Sequence, residues 1–347
     1  MCNIAGYVGT KRTAPILIDM IKREEGLDGG FYTGIATIHE GKIYYAKLTG
    51  DTDKLVAMTN AASLPGTVGI IHSRTQSGGG DAWAHPFVND KNGEPTIAYV
   101  ANGFAGAFKS RNDEYTELTQ RLLDAGYTMH SRVKIENSRY QILKDGTAVH
   151  MSDAMCQLIA RNIDSGDGEI AAMTGAFCEM PSEIVGLLLS LATPNAITYS
   201  RINMPMFIGF CKHGAYLAST PMAFPEDLET EPQPLPACSS GQVEKDRFTI
   251  VPYQNPPTRV EMITSKIKSE AYLRICELLR EGEHIFPDVR KKAVASLFAS
   301  GQCLPSAQLA YETLYYLKKE GRLNVQTVRV PGVGGNDAPK FMLSLLK

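Results

Sequence analysis

The chain has no apolar run long enough to cross a bilayer. Its longest, residues 184–192, falls far short of the roughly 20 residues a transmembrane helix needs. A secretory leader is also missing, because Cys2, Gly6 and the pair Lys11-Arg12 do not give a basic-then-apolar order ending in a cleavage site. A cytoplasmic protein without membrane association is therefore expected. The seven cysteines (2, 156, 178, 211, 238, 276, 303) include no Cys-x-x-Cys pair and no Cys/His spacing suited to zinc. That argues against a disulfide framework and a metal site, and no cofactor is called for. Dense basic clusters are scarce, Arg290-Lys291-Lys292 excepted, and no RNA-reading motif is visible. Gly332-Val333-Gly334-Gly335 lacks a following Lys-Ser/Thr and reads as a turn, not a phosphate loop.

What remains is an ordinary globular composition, 44% hydrophobic and 21% charged over 347 residues. That length suits two domains, or one large domain with an appendage. Short apolar or alternating segments at 3–8, 34–39, 42–47, 69–72 and 97–101 read as strands. Residues 13–22 and 114–125 place apolar side chains at helical spacing. A hairpin is expected at 138–150 around Lys144-Asp145-Gly146. Strands resume at 183–192, 196–200, 206–211 and 215–218. A proline-rich, acidic strap follows over 225–257, with one hairpin at 239–251, and a boundary falls near 258–265.

Cysteine at position 2 is the most informative residue. If Met1 is removed, Cys2 carries a thiol nucleophile and a free α-amine, a base of pKa roughly 7.7–8.0. Taken alone, Cys2 reads sooner as a small buried residue opening a strand, which is what free cysteines most often are. Further stretches change that balance: His72-Ser73-Arg74-Thr75-Gln76-Ser77-Gly78-Gly79, Trp83-Ala84-His85-Pro86-Phe87, Ala101-Asn102-Gly103, Ser152-Asp153, Arg201-Ile202-Asn203-Met204-Pro205-Met206 and Ala215-Tyr216-Leu217-Ala218-Ser219-Thr220-Pro221. Together, over about two thirds of the chain, they resemble the class II glutamine amidotransferases, the group that includes glucosamine-6-phosphate synthase.

The resemblance implies an α+β fold, the four-layer αββα sandwich of N-terminal-nucleophile hydrolases, over residues 1–257. It makes Cys2 the nucleophile, and Asn102 with the Gly103 amide the oxyanion hole. Arg74 would hold the substrate α-carboxylate and Asp153 its ammonium. Thr75 and Ser77 would line the pocket, and His85 would be structural, since the family's base is the α-amine. Residues 130–151 stand as an insertion relative to the family. Three departures are visible: Asn3 stands in place of a glycine, residues 27–32 keep little of an Arg-Gly-x-Asp-Ser segment, and Thr75-Gln76 replaces Trp-Ala.

Residues 264–347 read differently, as helices at 270–280, 288–299 and 306–320, then a strand pair or wing at 322–330. This resembles a winged-helix module, with 311–323 as recognition helix running into the wing. The segment carries 13 Lys+Arg against 8 Asp+Glu, net +5, while the rest is net −7. Protein docking or dimerisation is favoured over nucleic acid, because the recognition helix offers Tyr and Leu more than Arg.

L-glutamine is the implied substrate. No sugar-isomerase domain, phosphoribosyltransferase motif or ATP-pyrophosphatase loop is visible, so ammonia would pass to a separate synthase subunit or leave as product. A split glutamate synthase is the family precedent, and a homo-oligomer stays open. Two other classes compete: a non-catalytic scaffold that senses glutamine and works through its winged helix, and an N-terminal-cysteine amidase acting on another linear amide. Arg74 with Asp153 speaks against the latter.

Overall fold

The computed structural model describes residues 2–76, 78–104, 112–135, 141–226, 228–299 and 303–346. One antiparallel sheet has seven strands in the order β14 (Gln233–Pro234), β12 (Phe207–Cys211), β13 (Gly214–Ala218), β1 (Asn3–Gly9), β4 (Val68–Arg74), β2 (Tyr32–His39) and β3 (Lys42–Thr49). A second has six, in the order β16 (Val251–Pro252), β15 (Ser239–Val243), β11 (Ile197–Arg201), β10 (Glu183–Ser190), β6 (Glu94–Phe104) and β5 (Phe87–Lys91).

Period-two alternation assigns each side chain to a layer. In β1, Ile4 and Val8 pack between the sheets against Val100, Val185, Leu187 and Ile197, whereas Ala5 and Tyr7 face the opposite side. Gly6 allows the sheets to approach there, because a Cβ would lie 3.0 Å from Ile197 and 3.2 Å from Leu187. Outside the first sheet lie α1 (Thr13–Lys22), α2 (Glu25–Asp28) and α3 (Thr52–Met58). Outside the second lie α4 (Asn112–Asp124), α5 (Met151–Asp164) and α6 (Glu169–Glu179). The result is four layers, helix–sheet–sheet–helix.

Helices α5 and α6 were not anticipated from the sequence. The first carries Met151, Ala154, Met155, Leu158 and Ile159 at helical spacing, and buries Ser152, Asp153, Gln157 and Asn162 of its polar side as well. The region expected to be an insertion forms a three-stranded sheet, β7 (Val133–Lys134), β9 (Thr147–Val149) and β8 (Gln141–Ile142), with Gly146 at φ +77° in the tight turn. Residues 136–140 of the expected hairpin lie outside the described residues.

Beyond the strap come α7 (Ser265–Glu281), α8 (Phe286–Val289), a π turn at Arg290–Val294 and α9 (Ser306–Lys319). Strands β17 (Leu323–Pro331) and β18 (Asp337–Leu345) pair as a hairpin. The whole 323–331 span is one strand, and its partner starts only after the glycine turn. This C-terminal segment has no separate core: Ile275, Leu279, Phe286, Tyr311, Leu314 and Leu343 join Leu17, Met20, Ile21 and Leu27 in one cluster. Each such fully buried apolar side chain is worth about 1.5–3 kcal/mol. Helix α9 packs against α7 and the turn Pro221–Ala223, with nine of its residues buried from Ser306 to Leu317. Its C-terminal turn leaves Tyr316, Lys318 and Lys319 exposed. Among the described residues no helix is long and apolar enough to cross a membrane.

Candidate active site

Cys2 precedes the first residue of β1, a central strand of its sheet, and is half-buried. Its backbone N–H donates to Asn102 Oδ1 at 3.0 Å, which ties β1 of one sheet to β6 of the other. The Cys2 thiol lies 4.0 Å from Thr75 Oγ1, the residue directly after β4. Asn102 is fully buried and registered opposite Val185, and among the described residues its Nδ2 has no hydrogen-bond partner. Gly103 follows it at the exposed end of β6. The structure thus brings Cys2, Thr75, Asn102 and Gly103 together. Ser77 lies outside the described residues.

Arg74 ends β4 but does not present an open guanidinium. It is 1% exposed, its Nη1 donates to the Trp83 carbonyl at 2.5 Å, and its Nη2 donates to the Gly78 carbonyl at 2.9 Å. The guanidinium lies 4.2 Å from the centre of the Tyr32 ring. In this conformation Arg74 organises its own loop, and the carboxylate-clamp role expected for it would require those carbonyls to move.

Asp153 departs further from expectation. It sits in the first turn of α5 with 0% exposure, receiving the Ser131 N–H at 2.6 Å on Oδ2 and the Gln157 amide at 3.2 Å on Oδ1. Burial raises its pKa above the ordinary carboxylate value. Both oxygens accept from protein groups in this conformation. A chain of contacts nevertheless joins it to Arg74, since Trp83 Nε1 donates to the Ser131 carbonyl at 2.7 Å.

His85 belongs to a buried imidazole group. Its ring stacks on His72 at 3.8 Å and meets His150 edge-on at 5.2 Å. Burial, followed by the charge of Arg74, pulls His72 down to about 3. Burial also pushes His85 and His150 well below the ordinary value, so all three are neutral at physiological pH. Among the described residues neither ring nitrogen of His85 has a hydrogen-bond partner, which fits a packing role. The His85–Pro86 bond is cis, and Lys47 Nζ holds this corner by donating to the carbonyls of Ala84 at 2.9 Å and Pro86 at 3.2 Å.

Sequence reasoning missed Tyr32, Lys47, Ser131 and His150. Their contacts come from distant segments with no local signature. It also missed the acids behind the site. Glu25 Oε2 accepts from the Thr52 hydroxyl at 2.6 Å and the Ser73 hydroxyl at 3.3 Å. Burial, partly offset by the Thr52 hydroxyl, raises Glu25 from 4.5 to about 7. The folded state therefore prefers the protonated acid, and the stability this contributes is complete below pH 4.5 and lost as pH rises through about 7. Glu25→Gln, neutral at every pH, is expected to raise the urea midpoint relative to wild type at pH 8 and to lose that advantage near pH 4.5. An advantage that does not change across this window would contradict the assignment.

Two stacked antiparallel sheets between helical layers, with a cysteine heading a central strand, define the N-terminal-nucleophile hydrolase architecture. No protein-family model matches the chain. The glutamine–fructose-6-phosphate aminotransferase (isomerizing) of Pyrococcus horikoshii is 28% identical over 233 residues, covering 65% of this chain and 33% of that protein. The Clostridium perfringens protein of the same name is 34% identical over 140 residues, 39% of this chain and 21% of its own. That of Leifsonia xyli is 28% identical over 273 residues, 75% and 38%. The chain thus spans only between 21% and 38% of these curated relatives.

Among solved structures, glutamine phosphoribosylpyrophosphate amidotransferase of B. subtilis, complexed with ADP and GMP, has a TM-score of 0.58 at 15% identity, covering 94% of this chain and 66% of that one. A structure described as the allosteric regulatory enzyme of purine biosynthesis gives 0.57 with the same identity and coverages. The chain has the fold of the class II glutamine amidotransferases.

Proposed function

We propose that the chain, once Met1 is removed, hydrolyses the side-chain amide of L-glutamine to glutamate and ammonia. The observation that carries this reading is the Asn102 side chain, whose Oδ1 holds the nitrogen of Cys2 at 3.0 Å while its buried Nδ2 has no partner among the described residues. One residue thus fixes the group that becomes the base and offers a donor beside the thiol.

The freed α-amine takes the thiol proton, through a water if needed, and the thiolate attacks the glutamine side-chain carbonyl. Asn102 Nδ2 and the Gly103 amide stabilise the oxyanion as it forms. The C–N bond breaks, and ammonia departs with a proton returned from the amine. Water then adds to the thioester, the thiol leaves, and glutamate is released. Arg74 binds the substrate carboxylate when the Gly78 and Trp83 carbonyls give way, and Thr75 lines the thiol side of the pocket. The relatives named above are much longer than the matched segment, and a separate synthase subunit is the proposed ammonia acceptor.

One observation favours a second reading, glutamine sensing or scaffolding without turnover: Arg74 and Asp153 are both buried and engaged with protein groups. Glutamate release from L-glutamine by the purified chain separates the two. Turnover supports the enzyme, and its absence with Cys2 free and a glutamine-saturable binding signal supports the sensor.

A further inference from the structure

The strand that carries the nucleophile has a second polar residue on its opposite face. Alternation in β1 sends Asn3 away from the inter-sheet layer of Ile4 and Val8, toward the helices packed with Ala5 and Tyr7. There Asn3 is fully buried, and so are Glu24, just beyond α1, and Tyr311 of α9. The Asn3 amide faces both the Glu24 carboxyl and the Tyr311 hydroxyl, and Glu24 also faces the backbone of Thr220. Yet among the described residues Asn3 Oδ1 and Nδ2, both Glu24 oxygens and the Tyr311 hydroxyl complete no hydrogen bond of standard geometry. Leaving a buried polar group unsatisfied costs about 1–3 kcal/mol. Three elements converge on this seam directly behind Cys2, where apolar side chains of similar size would pack at less cost.

The seam is built closely. The Tyr311 ring is stacked on Phe286 at 4.2 Å and 11°, so its hydroxyl has little lateral freedom. Gly29 leaves room for Asn3, because a Cβ there would lie 3.1 Å from Asn3 Oδ1 and 2.8 Å from Ser73 Oγ. Ser73 is registered opposite Asn3 in β4 and adjoins Arg74. Strand β18 buttresses the same loop through Phe341, whose ring occupies the space over Gly26. Burial keeps the Glu24 carboxyl well above its ordinary pKa, so no net charge is required of the cluster.

We propose that Tyr311 of α9 is a positioning residue, which through the Asn3 amide sets the pitch of β1 and hence the placement of the Cys2 thiol. One planar peptide links Asn3 to Cys2, so a rotation at Asn3 carries directly to the nucleophile. The C-terminal segment is then a working part of the site, and any partner that shifts α9 changes the reactivity of Cys2. The inference rests on Cys2 being the reacting thiol.

The test uses the full chain as wild type, Tyr311→Phe, Asn3→Ala and the double variant. Cys2 alkylation by iodoacetamide is followed by peptide mass across pH 6–9, alongside kcat and KM for glutamate release. Tyr311→Phe keeps the stacked ring and removes one oxygen. It is expected to change the Cys2 alkylation rate at least about fivefold and to lower kcat by a similar factor with KM within about twofold. In the Asn3→Ala background the same change is expected to have no further effect. Unaltered alkylation profiles in Tyr311→Phe, or equal effects with and without Asn3, would overturn the proposal. Alkylation needs no turnover, so a wild type that reacts at Cys2 but releases no glutamate would refute the glutaminase reading and leave this test intact.

Discussion

Cys2→Ala is expected to abolish glutamate release from L-glutamine, by at least about a thousandfold, while the protein stays folded. Among the described residues of the assembled site the thiol is the group placed to form the covalent intermediate; the Thr75 hydroxyl lies 4.0 Å from it, and the neighbouring imidazoles are buried and neutral. Cys2 is half-buried and precedes the hydrogen-bonded part of β1, so shortening it removes little core. Equal urea midpoints with activity lost would confirm the role. Turnover within tenfold of wild type would place the chemistry elsewhere.

The second large effect is expected at Asn102. Asn102→Ala removes both the acceptor for the Cys2 nitrogen and the unpartnered Nδ2 donor, and a loss of about 10²–10³ in kcat is expected with a small change in KM. Asn102→Asp separates the two functions, since it keeps an acceptor for the nitrogen but offers no N–H to the oxyanion. It should lose kcat nearly as severely as alanine while retaining a normal rate of Cys2 alkylation. A kcat near wild type in Asn102→Asp would show that the side chain serves only to hold the amine.

The sequence makes some parts of this arrangement legible and hides others for physical reasons. Strands β1, β2, β4 and β6 are readable because short apolar runs end at glycine or polar residues, and the motifs at Cys2, Arg74 and Asn102 lie at the ends of those strands. Helix α5 carries Met151, Ala154, Met155, Leu158 and Ile159 at helical spacing, but the burial of its polar side, Asp153 and Gln157 included, emerges only in three dimensions. Arg74 and Asp153 carry the right charges, but their orientation is set by the carbonyls of Trp83 and Gly78 and the amide of Ser131, which no local pattern announces. Nothing in the local sequence marks Glu24 and Glu25 as buried acids, and their burial emerges from the packing of distant segments such as Thr52 and Ser73 around Glu25. The C-terminal segment is recognisable as helices and a hairpin, whereas its sharing of a core with the first sheet emerges only in three dimensions.

The most direct test of the central claim is intact mass and glutamate release measured on one preparation, with labelling by a glutamine analogue bearing an electrophile at the side-chain carbonyl position. The account predicts a mass lacking Met1, glutamate formed catalytically, and one equivalent of label on Cys2 that blocks turnover. A chain with free Cys2 that forms no glutamate and takes no label would contradict it.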